Sequence, residues 1–157
     1  MHTRQITPFL ALLVCLFVCL GCSETVQTPT VDIQAESSQI RAVLDAQVND
    51  WNAGDIEAFM QSYWKSDSLR FASGNGVREG WQETFERYKA SYPDKANMGE
   101  LTFELYDVSV LSASAATVFG RFHLKREAPL EDLTGLFTLI FNKKDGTWVI
   151  VHDHTSA

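Results

Sequence analysis

Beyond residue 22 the chain contains no cysteine: all three, Cys15, Cys19 and Cys22, lie near its start. Disulfides and thiolate metal sites are therefore excluded from everything downstream, and that part must hold itself together by core packing. Basic residues are also scarce, 13 Lys and Arg against 20 Asp and Glu, for a formal net charge of −7. They form no dense run. The chain thus lacks the basic face that neutralising phosphates requires, and nucleic acid is not expected as a partner. Long hydrophobic runs are missing too. The most apolar stretch, Phe9 to Leu20, spans about a dozen residues, where an ordinary membrane-spanning helix needs about 20. Internal repeats and low-complexity blocks are absent.

What is present begins with that stretch. It follows a short head carrying Arg4 and ends in Leu20-Gly21-Cys22. A basic head, an apolar middle and a small residue at the end form a secretory signal. A cysteine directly after Gly21 resembles the bacterial lipobox, in which the thiol is lipidated and becomes the mature N-terminus. Cys19 and Leu20 occupy the two positions where that pattern prefers Leu and a small residue; an ordinary secretion signal or an uncleaved anchor is the alternative. The expected organisation is a signal peptide over 1–21, a tether over 22–32 and one domain over 33–156. Cys22 is the lipidation site, the membrane is touched through that anchor only, and the location is the bacterial cell envelope outside the cytoplasm. Removing 21 of 157 residues leaves 136, enough for one sizeable core. Ser23 to Thr30, polar with one proline, suits a tether.

Helical spacing starts after Ser37-Ser38. Ile40, Leu44, Val48 and Trp51 recur every three to four residues, and Gly54 ends the helix. Asp55 can cap a second helix, whose Ile56, Phe59, Met60 and Tyr63 share a face. Leu69 to Phe71 is a short strand candidate, followed by the turn Ser73-Gly74-Asn75-Gly76. A third helix after Gly80 places Trp81, Phe85, Tyr88 and Tyr92 on one face, and Pro93 stops it. The period then changes. Leu101 to Val110, Thr117 to Lys125, Leu133 to Asn142 and Thr147 to His154 read as strands, the last two joined by a tight turn at Asp145-Gly146. An amphipathic sheet must cover one face, and the three helices are the available cover, so the class is α+β.

Asn52-Ala53-Gly54-Asp55, Arg78-Glu79-Gly80-Trp81 and the closing Asp145 to Ser156 segment, in this order and spacing, resemble a SnoaL-like domain. That is a branch of the nuclear transport factor two and ketosteroid isomerase superfamily, and the ending is also similar to the calcium/calmodulin-dependent kinase II association domain. The resemblance implies a cone-shaped curved antiparallel sheet with three covering helices around a pocket. Members include isomerases, cyclases, hydrolases, binders and association modules, so the fold alone does not settle function.

Three groups of residues are candidates for chemistry. His152 and His154 point to one face of the last strand and Asp153 to the other. Two same-face histidines are too few to specify a metal site, and no metal or cofactor is expected. Arg121 and His123 share a strand face with Phe119, while Val118, Gly120, Phe122 and Leu124 form the opposite and more obvious core stripe. By that stripe Arg121 and His123 face water. By the resemblance, Arg121 falls where the association domain has a pocket-lining arginine. The aromatic stripe with Trp51 and Tyr63 is core, its tyrosine hydroxyls being possible pocket groups. For acid–base work the resemblance calls for an aspartate. Asp67, Asp107 and Asp153 are available, with capping or surface pairing the default for each.

The resulting expectation is a small-molecule pocket, an anion being among its candidate ligands. Arg121, His123, His152, Tyr88, Tyr92, Trp51 and Tyr63 would line it, in a homodimer without nucleic-acid contacts. An isomerase- or hydrolase-type enzyme and a non-catalytic dimerisation module are the alternatives. The pocket face turns on register. A two-residue Asp145-Gly146 turn pairs Leu139 with His152 and sets His152 and His154 beside Phe137, Leu139 and Phe141; a glycine bulge in the turn reverses this. The two-residue turn is the expectation, as is burial of Trp148.

Overall fold

The structure, a computed structural model, describes residues 30–74 and 76–157. The expected signal peptide, the lipidation site Cys22 and most of the tether lie outside them. Helix α1 (Ile33–Ala53) starts before the two serines, because Asp32 caps it by accepting from the Ala35 amide at 3.0 Å. Ser38 does not break it, since its hydroxyl donates back to the Gln34 carbonyl. Gly54, at φ 84°, closes it in the left-handed conformation. Asp55 caps α2 (Ile56–Met60), which is shorter than the apolar spacing suggests. Beyond Met60 the chain is drawn off the helix by the sheet: Ile150 donates to the Ser62 carbonyl and accepts from the Trp64 amide, both at 2.9 Å.

Two short strands, β1 (Arg70–Ser73) and β2 (Gly76–Glu79), form a hairpin before α3 (Trp81–Ser91). A single helical turn, α4 (Lys95–Met98), follows, capped by Asp94. Neither β2 nor α4 is legible as periodicity, each being one turn or four residues long. The long strands are β3 (Glu100–Ser112), β4 (Ala115–Lys125), β5 (Leu133–Lys144) and β6 (Thr147–Ser156). They give one curved, unclosed sheet of order β2-β1-β6-β5-β4-β3. All neighbours are antiparallel except β1 and β6, which run parallel. Irregularities in β3 at Leu105/Asp107 and Val110/Ser112 add bend, as bulges do. The architecture is the expected α+β cone.

The concave face carries the core. Val118, Leu124, Phe137, Leu139 and Phe141 pack under Ile40, Leu44, Phe59 and Met60 from the helices. Gly120 is needed beneath this layer, since a Cβ there would sit 2.7 Å from the Phe137 ring and 2.6 Å from the Glu104 carbonyl oxygen. Trp148 is 2% exposed, as expected, and its indole N–H donates to Glu36 at 2.7 Å. Glu36 also pairs with Lys143, pinning the start of α1 to the far end of the sheet.

The β5–β6 hairpin decides the site. Asp145 and Gly146 have φ of 49° and 81°, so the turn is the expected two-residue type with both central residues left-handed. The ladder runs in that register from Lys144↔Thr147 to Phe141↔Ile150. It then slips by one: the next pair is Ile140↔His152, leaving Val151 as the extra residue of a bulge. Downstream every side chain changes face relative to the unslipped register. Leu139 pairs with Asp153 rather than His152.

Candidate functional site

Between the concave face and the helices lies a cavity of about 310 Å³. Its floor is Phe122, Leu124, Phe137 and Leu139 from β4 and β5, and its wall is Trp51, Phe59, Tyr63, Tyr88 and Tyr92. Those aromatics lock one another edge to face, Trp51 to Tyr92 at 4.8 Å and Trp51 to Phe59 at 5.1 Å between centroids. The Trp51 indole N–H is satisfied by the Met98 carbonyl at 3.1 Å, which gives α4 its task. Such a wall is preformed rather than collapsed around nothing.

Polar groups interrupt the apolar lining. Asp153 is 3% exposed and enters from β6 because of the Val151 bulge. Its carboxylate accepts from the Tyr63 hydroxyl at 2.8 Å and from the Thr155 hydroxyl at 2.6 Å. Burial pushes its pKa from 3.8 up to about 6, against the pull of those two donors and of His154. Tyr63 and Tyr88 are held well above the usual phenol range, first by burial and then by the Asp153 charge. Tyr63 gives its one proton to Asp153, and the Tyr88 ring lies 6.5 Å from the Tyr63 ring between centroids. A further group is Gln47 on α1, 1% exposed, whose Nε2 has no hydrogen-bond partner among the described residues. Toward the mouth the lining becomes Ser73, Arg78, Arg87 and Ser91.

The expected site residues divide cleanly. Trp51, Tyr63, Tyr88 and Tyr92 line the cavity. Arg121, His123 and His152 do not, which corrects their expected convergence under the tyrosines. Arg121 and His123 lie on the convex face, where Arg121 donates from Nε to the Tyr106 hydroxyl at 3.0 Å and His123 Nδ1 lies 3.2 Å from the Thr134 hydroxyl. The stripe Val118, Gly120, Phe122 and Leu124 takes the inner face of β4, so its alternation excludes them. His152 and His154 share the outer face beside Ile140 and Thr138, moved there by the bulge. Desolvation, then His154 and Arg70, lower the His152 pKa from its ordinary value.

Of the three candidate aspartates only Asp153 is internal. Asp67 is exposed, and Asp107, also exposed, accepts from Ser109. Gln47, Arg78 and Arg87 were not anticipated. Gln47 carried a usable signal, since it falls in register with Ile40, Leu44 and Trp51, a polar amide inside an apolar stripe.

Residues 40–157 match the model of the SnoaL-like domain. Among solved structures, an NTF2-like protein of unknown function from Shewanella oneidensis MR-1 is 43% identical, with TM-score 0.74, covering 78% of this chain and 99% of that one. A ketosteroid isomerase-like protein from Erwinia carotovora atroseptica SCRI1043 is 21% identical, with TM-score 0.60, covering 77% of this chain and 95% of that one. A nuclear transport factor 2 superfamily protein from Salmonella enterica serovar Typhimurium LT2 is 18% identical, with TM-score 0.60, covering 79% and 92%. The last two, at such identity, speak to the fold alone. No curated protein matches.

Proposed function

The chain belongs to the SnoaL-like domain family, and from that premise we propose that it is a lipid-anchored envelope protein that binds a small organic molecule in its aromatic cavity. The observation that carries the reading is Gln47. A buried amide without a partner costs about 1–3 kcal/mol. Here it sits against a cavity of about 310 Å³, at the lower end of small-molecule sites. A ligand carbonyl or hydroxyl would satisfy it, and the aromatic wall would take the ligand body. Calorimetric titration of the full-length chain with 2-naphthol tests this. Gln47→Leu should weaken binding about tenfold, the worth of one such hydrogen bond. Leu139→Trp, which fills the cavity, should abolish it. No heat of binding, or an undiminished response in Leu139→Trp, refutes the reading.

The export and anchoring part rests on the apolar run and on Cys22. A homodimer through the convex face is supported by the exposure of Phe119 and Ile140, 40% and 39%. Light scattering that finds a monomer, or an Ile140→Glu variant of unchanged mass, argues against it.

One observation favours a second, catalytic reading. A carboxyl with pKa about 6 in an apolar site is matched to proton transfer near neutral pH. Asp153 would take a proton from carbon beside a carbonyl, with the Tyr88 hydroxyl donating to the carbonyl oxygen. The diagnostic is hydrogen–deuterium exchange at that carbon in a bound ketone, followed by NMR. Exchange that persists in Asp153→Asn rules the role out.

A further inference from the structure

The rim of the cavity has a charge pattern that its interior lacks. Arg78, half-buried on β2, and Arg87, exposed on α3, both line it. Neither has an ion-pair partner among the described residues. The acidic residues nearest to them in sequence are already engaged. Glu79, next to Arg78, is bound to Arg70 at 3.3 Å, and Glu86, next to Arg87, is bound to Lys89 at 2.8 Å and accepts from Gln82 at 2.9 Å. Two arginines without an ion pair therefore line the cavity, on a chain whose net charge is −7. Guanidinium is the side chain best shaped to hold a carboxylate by paired hydrogen bonds.

The inside has the opposite character. Its walls are aromatic, and its buried carboxyl, Asp153, would repel a second carboxylate brought alongside it. An anionic head is thus excluded from the depth of the cavity and attracted at its mouth, while an apolar body is favoured inside.

We propose that the ligand is an amphipathic carboxylate, its apolar body enclosed by the aromatic wall and its charged head held at the mouth between Arg78 and Arg87. This rests on the small-molecule reading above and adds the chemical class and orientation of the ligand. The pair 2-naphthoate and 2-naphthol isolates the claim, because the two share one body and differ in the charged head. On the full-length chain near neutral pH, naphthoate should bind about tenfold more tightly than naphthol, the worth of one charge-assisted contact at a partly solvated site. Arg78→Gln and Arg87→Gln should each weaken naphthoate several-fold and leave naphthol unchanged. Added salt should weaken naphthoate alone. Arg70→Gln, whose arginine is already paired with Glu79 and does not line the cavity, should affect neither probe. If naphthol binds as well as naphthoate, or the rim variants weaken both equally, or Arg70→Gln matches them, the orientation and class are wrong while the cavity reading stands. If neither probe binds, both fall.

Discussion

Replacing Asp153 by asparagine measures what the protein gives up to keep this acid in its cavity. The carboxyl titrates at about 6 in the folded chain against an ordinary value of 3.8, with burial the leading cause. A raised acid pKa means that the folded state holds the proton more tightly than the unfolded chain. The contribution to stability is therefore greatest below about pH 4, where both states are protonated. It falls as pH rises from about 4 to about 6 and stays at its lowest above that. A displacement of about two on the pH scale, at 1.36 kcal/mol for each, makes the ionised group cost about 3 kcal/mol near pH 7. Asparagine cannot ionise, and its carbonyl can still accept from Tyr63 while its amide donates to the Thr155 oxygen. Asp153→Asn should therefore be more stable than the natural protein by about 1–3 kcal/mol near pH 7, and about equal to it near pH 4. Urea unfolding followed by tryptophan fluorescence, repeated across this pH range, gives the difference curve. Subtraction is essential, because Glu36, Glu86 and Asp94 have lowered pKa values and their contributions run the other way. A difference that is flat with pH, or a variant less stable near pH 7, would show that Asp153 is neither desolvated nor held at a cost.

Truncating Trp148 to alanine should cost roughly 3–5 kcal/mol, the range for a large buried aromatic. A loss below about 1 kcal/mol in the same assay is incompatible with the packing of β6. Arg121→Ala should leave the affinity for 2-naphthoate unchanged by calorimetry, because Arg121 reaches Tyr106 on the convex face; a marked loss would place it in the cavity after all. Cys22→Ser should turn a membrane-associated protein into a soluble or unprocessed one, and continued membrane partitioning after processing at the same site would refute lipidation.

Much of this architecture is legible in the residues taken alone. The 3.6-residue spacing of Ile40, Leu44 and Trp51 and of Trp81, Phe85 and Tyr88 marks helical faces, because an apolar stripe must recur at the helical period to be buried. Asp145-Gly146 specifies its turn because both positions need a positive φ, which Gly adopts freely and Asp tolerates. The aromatic wall of Trp51, Tyr63, Tyr88 and Tyr92 and the burial of Trp148 follow from the same local rules. The polar contents of the cavity do not. Alternation starting at Trp148 and Ile150 carries His152 and His154 inward, and it takes one surplus residue, Val151, to set Asp153 and Thr155 there instead. Nothing local to Val151 marks it as a bulge. The slip lies where β6 leaves its turn-directed register with β5 and takes up β1 as a parallel neighbour, through Arg70↔His152 and Phe71↔Asp153. Likewise Arg78 and Arg87 line one cavity only because a two-stranded hairpin and α3 both border it. Local sequence determines periodicity, caps and turn, since each depends on a few adjacent dihedrals. Which face of a strand looks inward, and which charges converge, depends on pairing with distant strands, and only the tertiary structure decides that.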